Sequence, residues 1–149
     1  MKKSVLLSTA GCAIAGLVLL GQVATAADMK IGIMVPTTGS EATYGKDMEN
    51  AINLAASEIN KAGGVLGMNI VTMTGDAACD PQQATAAASK LVSAEVTGVV
   101  GGYCSGATLP TMKIYGDARV PMVIPAANST KLIDVNAGNA FQINSTATL

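Results

Sequence analysis

Residues 30–36 read KIGIMVP, a continuous apolar run that begins after Lys30 and ends at Pro36. An uninterrupted apolar run favours a β-strand covered on both faces, because a half-exposed strand would alternate apolar and polar side chains. Pro36 and Gly39 then end the strand in a loop. This stretch predicts a buried strand of a parallel sheet.

Outward from this strand, helical and strand-like patterns alternate along the chain. Helical patterns cover residues 46–61, 81 to about 94, and 106–118, while strand-like segments cover residues 68–74, 96–102, 120–124 and 141–144. Asp80 supplies an N-cap and Pro81 the first residue of the second helix. Short apolar strands that alternate with helices predict an α/β fold, a mainly parallel sheet with helices on both faces.

The composition of the chain disfavours several classes of function. The chain has 149 residues and a formal net charge of -1, from 9 basic and 10 acidic residues with no long run of either sign. Neither a nucleic-acid partner nor a polybasic membrane patch is therefore expected. The chain contains no His, so Ser-His-Asp and Cys-His catalysis cannot be assembled from it, and neither a metal nor a cofactor is expected.

Residues 1–26 have the pattern of a signal peptide. Two lysines follow the initial Met, an apolar stretch comes next, and Ala24-Thr25-Ala26 forms a small-x-small cleavage site. We expect export and cleavage after Ala26, which leaves residues 27–149 as one domain. Two alternatives are a transmembrane helix, for which the apolar stretch is short and interrupted, and a lipoprotein acylated at Cys12.

Cys79 and Cys104 are the two cysteines that remain after cleavage. An oxidising compartment favours a disulfide, and a bond between these two residues would stabilise the fold by about 3.5 kcal/mol in the chain-entropy model. Gly102 to Gly106 also matches the G-x-C-x-G form of a nucleophile elbow, which makes a cysteine hydrolase an alternative. No partner base is marked by the sequence, so we expect no enzymatic activity.

Ligands of open α/β sheets bind beyond the carboxyl ends of the strands, where loops 36–44, 76–80, 101–106 and 125–130 are predicted to lie. Ser105 stands at the predicted start of a helix, where free amides, the helix dipole and a hydroxyl attract a carboxylate. A simple helix cap is the alternative role for Ser105. Tyr44 lies in the first loop, and an ordinary surface tyrosine is the alternative there.

Several motifs, taken in order, resemble the periplasmic leucine/isoleucine/valine-binding proteins, the solute receptors of branched-chain amino acid ABC transporters. The segments that carry the resemblance are the strand at 30–33, Tyr44-Gly45, EINKAGGV at 58–65, DAACDP at 76–81 and GYCS at 102–105. The resemblance implies a type I periplasmic-binding-protein-like lobe that is one of two. It also implies a periplasmic location, an amino acid ligand and a membrane permease as partner.

The resemblance further implies roles for individual residues. Cys79 and Cys104 correspond to a disulfide of the first lobe. Ser105 corresponds to the serine that binds the ligand carboxylate, Ala126 to the residue whose carbonyl accepts from the ammonium group, and Tyr44 to the aromatic residue beside the ligand side chain. Asn128 stands where leucine-type receptors carry threonine, which leaves the identity of the amino acid open.

Proteins of this family are two to three times longer than this chain, so the resemblance implies an incomplete N-terminal lobe at 27–149 with its second lobe absent. The same fold also serves as the ligand-sensing domain of larger regulators, which is the remaining alternative.

Overall fold

The computed structural model describes residues 27–147, which form five strands and four helices. The predicted signal peptide lies outside the described residues. In chain order the elements are β1 (Met29–Val35), α1 (Ala42–Lys61), β2 (Ile70–Asp76), α2 (Pro81–Ser93), β3 (Gly98–Gly101), α3 (Ser105–Asp117), β4 (Met122–Ile124), α4 (Lys131–Asp134) and β5 (Ala140–Gln142).

The five strands form one parallel sheet in the order β2-β1-β3-β4-β5. The run at 30–36 becomes β1, which pairs with β2 on one side and β3 on the other. Residues Ile33 to Pro36 are buried. The predicted α/β fold with a parallel sheet is confirmed, because each of the first four strands is followed by a segment that crosses over to the next strand.

The helices lie on both faces of the sheet. α2 and α3 pack together over one face, where Leu91, Met112 and Tyr115 join the strand residues Met34 and Met122 in the main buried cluster. α1 covers β1 and β2 on the opposite face, where Ile52 and Ile59 line a groove with Ile31 and Ile70. In the described residues, helices thus cover both faces of one parallel sheet.

α1 begins at Ala42, four residues before the predicted start at Lys46. The first turn closes with the Gly45 amide donating to the Glu41 carbonyl at 3.1 Å. A Cβ atom at Gly45 would overlap the carbonyl oxygen of Pro36, so glycine is required where α1 passes the end of β1. Tyr44 consequently lies in the first turn of a helix and not in the predicted loop.

Other boundaries differ from the predictions by one or two residues, and one short helix was not predicted. β2 starts at Ile70 and ends at Asp76, in each case two residues later than predicted. The Asn60 side chain bonds both backbone groups of Ile70 and so fixes where the strand starts. α3 begins at Ser105 and continues through Pro110. The four-residue helix α4 was not predicted, because so short an element produces no periodic pattern.

Candidate functional site

The loops that follow the strands meet at the carboxyl edge of the sheet, as parallel topology requires. Cys79 follows β2, Tyr44 lies in α1 after β1, Ser105 follows β3, and Ala126 and Asn128 follow β4. The order of the strands places these residues across the edge in the sequence Cys79, Tyr44, Ser105, Ala126. Residues that are up to 84 positions apart, such as Tyr44 and Asn128, thus share one surface.

Ser105 is the first residue of α3, and the N-cap position before it is occupied by Cys104. The Ser105 hydroxyl therefore does not cap its helix. Its Oγ accepts hydrogen bonds from the backbone amides of Asn128 at 3.1 Å and Ser129 at 3.2 Å. These two bonds tie the start of α3 to the loop after β4, so the hydroxyl joins two of the loops at the edge.

The bonding of Ser105 leaves its hydroxyl proton free to donate. A hydroxyl has one donor and two acceptor sites, and both acceptor sites of Ser105 are occupied by amides. The amides of Ser105 and Gly106, in the first turn of α3, also have no intrahelical partner, and the dipole of the 13-residue helix is positive at this end. We call Ser105 and Gly106 the α3 cradle, an arrangement of donors that suits a carboxylate.

Ala126 presents its carbonyl at the same edge, but that oxygen already has one partner. Asn144 donates to it through Nδ2 at 2.8 Å. A carbonyl oxygen has two acceptor sites, so one remains for a ligand donor. The Asn144 Oδ1 is itself buried and has no hydrogen-bond partner among the described residues.

The segment after β5 fixes the loop that carries Ala126 and Asn128. The Ile143 amide donates to the Ile124 carbonyl at 3.1 Å, and the Ala147 amide donates to the Asn128 carbonyl at 2.8 Å. The Asn128 amide is therefore used inside the protein, while its exposed side chain and the second acceptor site of its carbonyl remain to contact a ligand.

Tyr44 stacks on Tyr103, with ring centroids 5.6 Å apart and an angle of 14° between the ring planes. Tyr44 remains 57% exposed, so most of its ring is accessible. Tyr103 was not among the predicted site residues, although its place directly before Cys104 and Ser105 is a local signal for it. Asn144 had no such signal, because its bond to Ala126 spans 18 residues.

Cys79 and Cys104 are joined by a disulfide, with their Cα atoms 5.3 Å apart. The bond links the loop after β2 to the N-cap of α3 and so holds the residue next to Ser105. It also leaves Cys104 without the thiol that the cysteine-hydrolase alternative requires.

Asp76, at the end of β2, holds together the loops that follow β1 and β2. Its Oδ1 accepts from the backbone amides of Thr37 at 2.8 Å and Ala78 at 2.9 Å, and the Thr38 amide and hydroxyl also donate to the carboxylate. Burial alone would raise the pKa of Asp76, but the hydrogen bonds from Thr38, Thr37 and Ala78 outweigh it, so the pKa lies below its ordinary value. Asp76 was not predicted as a structural residue of the site.

The part of the chain that the structure describes offers no group of three or more His, Cys, Asp and Glu side chains that could hold a metal ion. Over the same residues, no helix is long and apolar enough to cross a membrane.

Comparisons with known proteins agree with this architecture. A family model described as periplasmic binding protein matches residues 28–148. The Leu/Ile/Val-binding protein homolog 2 of Brucella abortus is 34% identical over 142 residues, which are 95% of this chain and 37% of that protein. The Leu/Ile/Val-binding protein BraC3 of Rhizobium johnstonii is 39% identical over 106 residues, covering 71% of this chain and 29% of that protein.

Solved structures are similar over the same region. The branched-chain amino acid transporter substrate-binding protein LivJ from Streptococcus pneumoniae, in complex with isoleucine, superposes with a TM-score of 0.75 at 31% identity, over 80% of this chain and 34% of that one. A solute-binding protein from Rhodopseudomonas palustris in complex with 3,4-dihydroxybenzoic acid gives a TM-score of 0.70 at 29% identity, over 80% and 32%. The chain spans about a third of the length of these relatives.

A parallel sheet whose loops meet at one edge, with hydrogen-bond donors that suit an anion at a helix start, is the architecture of an α/β lobe. The family model covers most of the chain, and the motifs at 58–65, 76–81 and 102–105 all lie within the match. The chain belongs to the periplasmic binding protein family, which confirms the resemblance found in the sequence.

Proposed function

We propose that this chain forms one lobe of a periplasmic receptor for branched-chain or related amino acids, which delivers its ligand to the membrane permease of an ABC transporter. The observation that carries the proposal is the α3 cradle, where a free hydroxyl proton and two helix-start amides converge at the edge of the sheet. The names of the relatives, Leu/Ile/Val-binding proteins, support this class of ligand.

The cradle would hold the carboxylate of an amino acid. The Ser105 hydroxyl donates to one carboxylate oxygen, and the amides of Ser105 and Gly106 donate from the positive end of α3. The amides of Asn128 and Ser129 fix the hydroxyl, so its proton is directed away from the loop. A carboxylate bound here keeps part of its hydration, because the edge is open in this lobe.

The ammonium group of the ligand would donate to the second acceptor site of the Ala126 carbonyl. A desolvated ammonium also needs a negative partner, and no carboxylate is hydrogen-bonded to Ser105, Ala126 or Asn128 within residues 27–147. We assign that partner to a second lobe, which would close over the edge and bury the ligand. Further chain would also cover Phe141 and Ile143, which are 56% and 69% exposed beside the sheet.

Delivery to a permease requires export, so we also propose cleavage between Ala26 and Ala27. Amino-terminal sequencing of the periplasmic protein should give a chain that starts at Ala27. A chain that starts at a lipidated Cys12 would contradict this and would place the receptor on a membrane surface.

The carboxylate site is tested by nuclear magnetic resonance of the isotope-labelled protein with millimolar leucine. We expect chemical-shift changes at the amides of Ser105, Gly106 and Asn128, and their loss in Ser105→Ala. Ser89→Ala is the matched control, since the Ser89 hydroxyl bonds only within α2, to the Thr85 carbonyl. Equal shifts in both variants would refute the proposed role of Ser105.

A further inference from the structure

The disulfide lies at the start of the helix that carries the α3 cradle. Cys104 is the N-cap of α3, with an extended backbone (φ -84°, ψ 116°), and Ser105 and Gly106 follow it as the first two helical residues. A polar side chain in this position usually accepts a hydrogen bond from the amide of the second or third helical residue. The Cys104 side chain makes no such bond, and its sulfur is joined to Cys79 instead. The amides of the cradle therefore stay free for a ligand.

Cys79 holds this sulfur from a turn whose backbone is strained. Ala78 and Cys79 are consecutive residues with positive φ angles of 43° and 54°, in the left-handed region that is unfavourable for residues other than Gly. The Ala78 amide donates to the Asp76 carboxylate at 2.9 Å, and the Asp80 amide donates to the Ala77 carbonyl at 2.8 Å. Loss of the disulfide would remove the one covalent restraint on this turn and free the two sulfurs to separate.

Reduction by a dithiol would convert the bond into two thiols. The S–S bond breaks, each sulfur gains one electron and one proton from the dithiol, and the dithiol closes into a cyclic disulfide. The Cys104 thiol then lies at the positive end of a 13-residue helix, where the dipole and the free amides favour loss of its proton to water. From the N-cap position, the resulting thiolate would accept a hydrogen bond from the Gly106 amide, which belongs to the cradle.

We infer that the Cys79–Cys104 bond is a redox switch of the α3 cradle. In the oxidised chain the Cys104 sulfur is held by Cys79, and a ligand carboxylate binds to the helix-start amides. In the reduced chain the Cys104 thiolate caps α3, occupies the Gly106 amide and repels the carboxylate. The inference rests on the proposed function and adds regulation to the same site. An oxidising compartment favours the bonded form, so the switch would keep the site open after export.

The matched variants Cys79→Ala and Cys104→Ala test the inference in the full chain. Both lack the bond, but only Cys79→Ala keeps a thiol at the start of α3. Each isotope-labelled variant is titrated with leucine at pH 8 under a phosphine reductant, and the amides of Ser105 and Gly106 are followed by nuclear magnetic resonance. We expect Cys79→Ala to bind leucine about five- to tenfold more weakly than Cys104→Ala, the factor that a charged helix cap contributes. Equal affinities would show that the switch is wrong, while the proposed function stands.

A pH titration of the reduced, unmodified chain tests the switch without any substitution. Carboxylates titrate at about pH 4, tyrosines and lysines at about pH 10 or above, and the chain has no His. Thiols are therefore the side chains that change charge between about pH 6 and 9. The Gly106 amide of the reduced chain should shift with a midpoint below about pH 8.5, the value for a free thiol, and the oxidised chain should show no such step.

The two measurements fail in different ways. A reduced chain whose Gly106 amide shows no step would mean that the thiolate does not cap α3, which overturns the inference and leaves the proposed function intact. If leucine moves neither amide of the oxidised chain, the proposed function fails and the switch has no ligand to displace, even where the Gly106 step is present.

Discussion

Removal of the Cys79–Cys104 disulfide should cost this lobe much of its stability. The bond joins residues 25 positions apart. For a loop of this length, the disulfide lowers the conformational entropy of the unfolded chain, and the chain-entropy model converts this into about 3.5 kcal/mol of stabilisation of the folded state. Small domains are stable by about 5–15 kcal/mol in total, so the double substitution Cys79→Ser and Cys104→Ser should remove a large fraction of that free energy.

Urea denaturation followed by far-ultraviolet circular dichroism measures this effect. The midpoint of the Cys79→Ser, Cys104→Ser variant should fall with little change in slope. The unmodified protein under a strong reductant serves as control and should show the same loss, because it breaks the bond without altering any residue. A loss below about 1 kcal/mol in both would refute the entropic reasoning, since the disulfide would then constrain an unfolded loop that is already closed by other contacts.

Three substitutions test the contacts around the site. Asp76→Asn should lower the free energy of unfolding by about 1–2 kcal/mol at neutral pH. Because the folded pKa of Asp76 is depressed, the carboxylate stabilises the fold above the unfolded carboxyl pKa, and this stabilisation is lost as the pH falls below about 4. Denaturation curves of the variant and the unmodified protein should therefore converge in acid, and a constant difference between them would contradict this. Asn144→Ala should cost about 1 kcal/mol by thermal denaturation and speed hydrogen exchange at Ala147, whereas unchanged exchange would show that Asn144 does not hold the loop. Gly45→Ala should displace the start of α1 and weaken the near-ultraviolet signal of the Tyr44–Tyr103 stack, and an unaltered spectrum would show that α1 tolerates a side chain beside Pro36.

The sheet was predictable because its residues follow simple periodic rules. β1 is a continuous apolar run, and α2 begins at Pro81 directly after its N-cap, Asp80. The Asp80 carboxylate accepts a hydrogen bond from the Gln83 amide at 2.8 Å, as is usual for an N-cap. Strands that alternate with helices must be covered on both faces of the sheet, and this requirement selects the α/β class of fold. Local patterns of this kind involve neighbours in sequence, which is why sequence analysis could identify them.

The start of α1 could not be found in the same way, because its first turn faces the edge of the sheet and not the core. The apolar periodicity begins only at Met48, while Tyr44 is exposed and packs on Tyr103. A pattern that measures burial does not detect a turn whose side chains remain accessible. The missed helix start is therefore also part of the candidate site.

The parts of the candidate site that could not be predicted depend on contacts between residues that are distant in sequence. The amides of Asn128 and Ser129 reach Ser105 across 23 and 24 residues, and Asn144 reaches Ala126 across 18. Ser105, Ala126 and Asn128 could be named from their loops and from the resemblance. Which of their polar groups are already bonded depends on the packing of β4 and β5, which no local pattern encodes.

The central claim is that this lobe holds only part of a shared ligand site, and calorimetric titration of the folded chain with leucine tests it most directly. Each charge-assisted hydrogen bond of the α3 cradle can contribute about 1.5–3 kcal/mol, but at an open, hydrated edge the cost of immobilising the ligand offsets most of that gain, and even millimolar affinity requires about 4.1 kcal/mol. We therefore predict no saturable heat in the micromolar range for the chain alone, and tight binding when a second lobe is supplied on the same chain. A micromolar dissociation constant with one-to-one stoichiometry for the chain alone would contradict the account of a shared site.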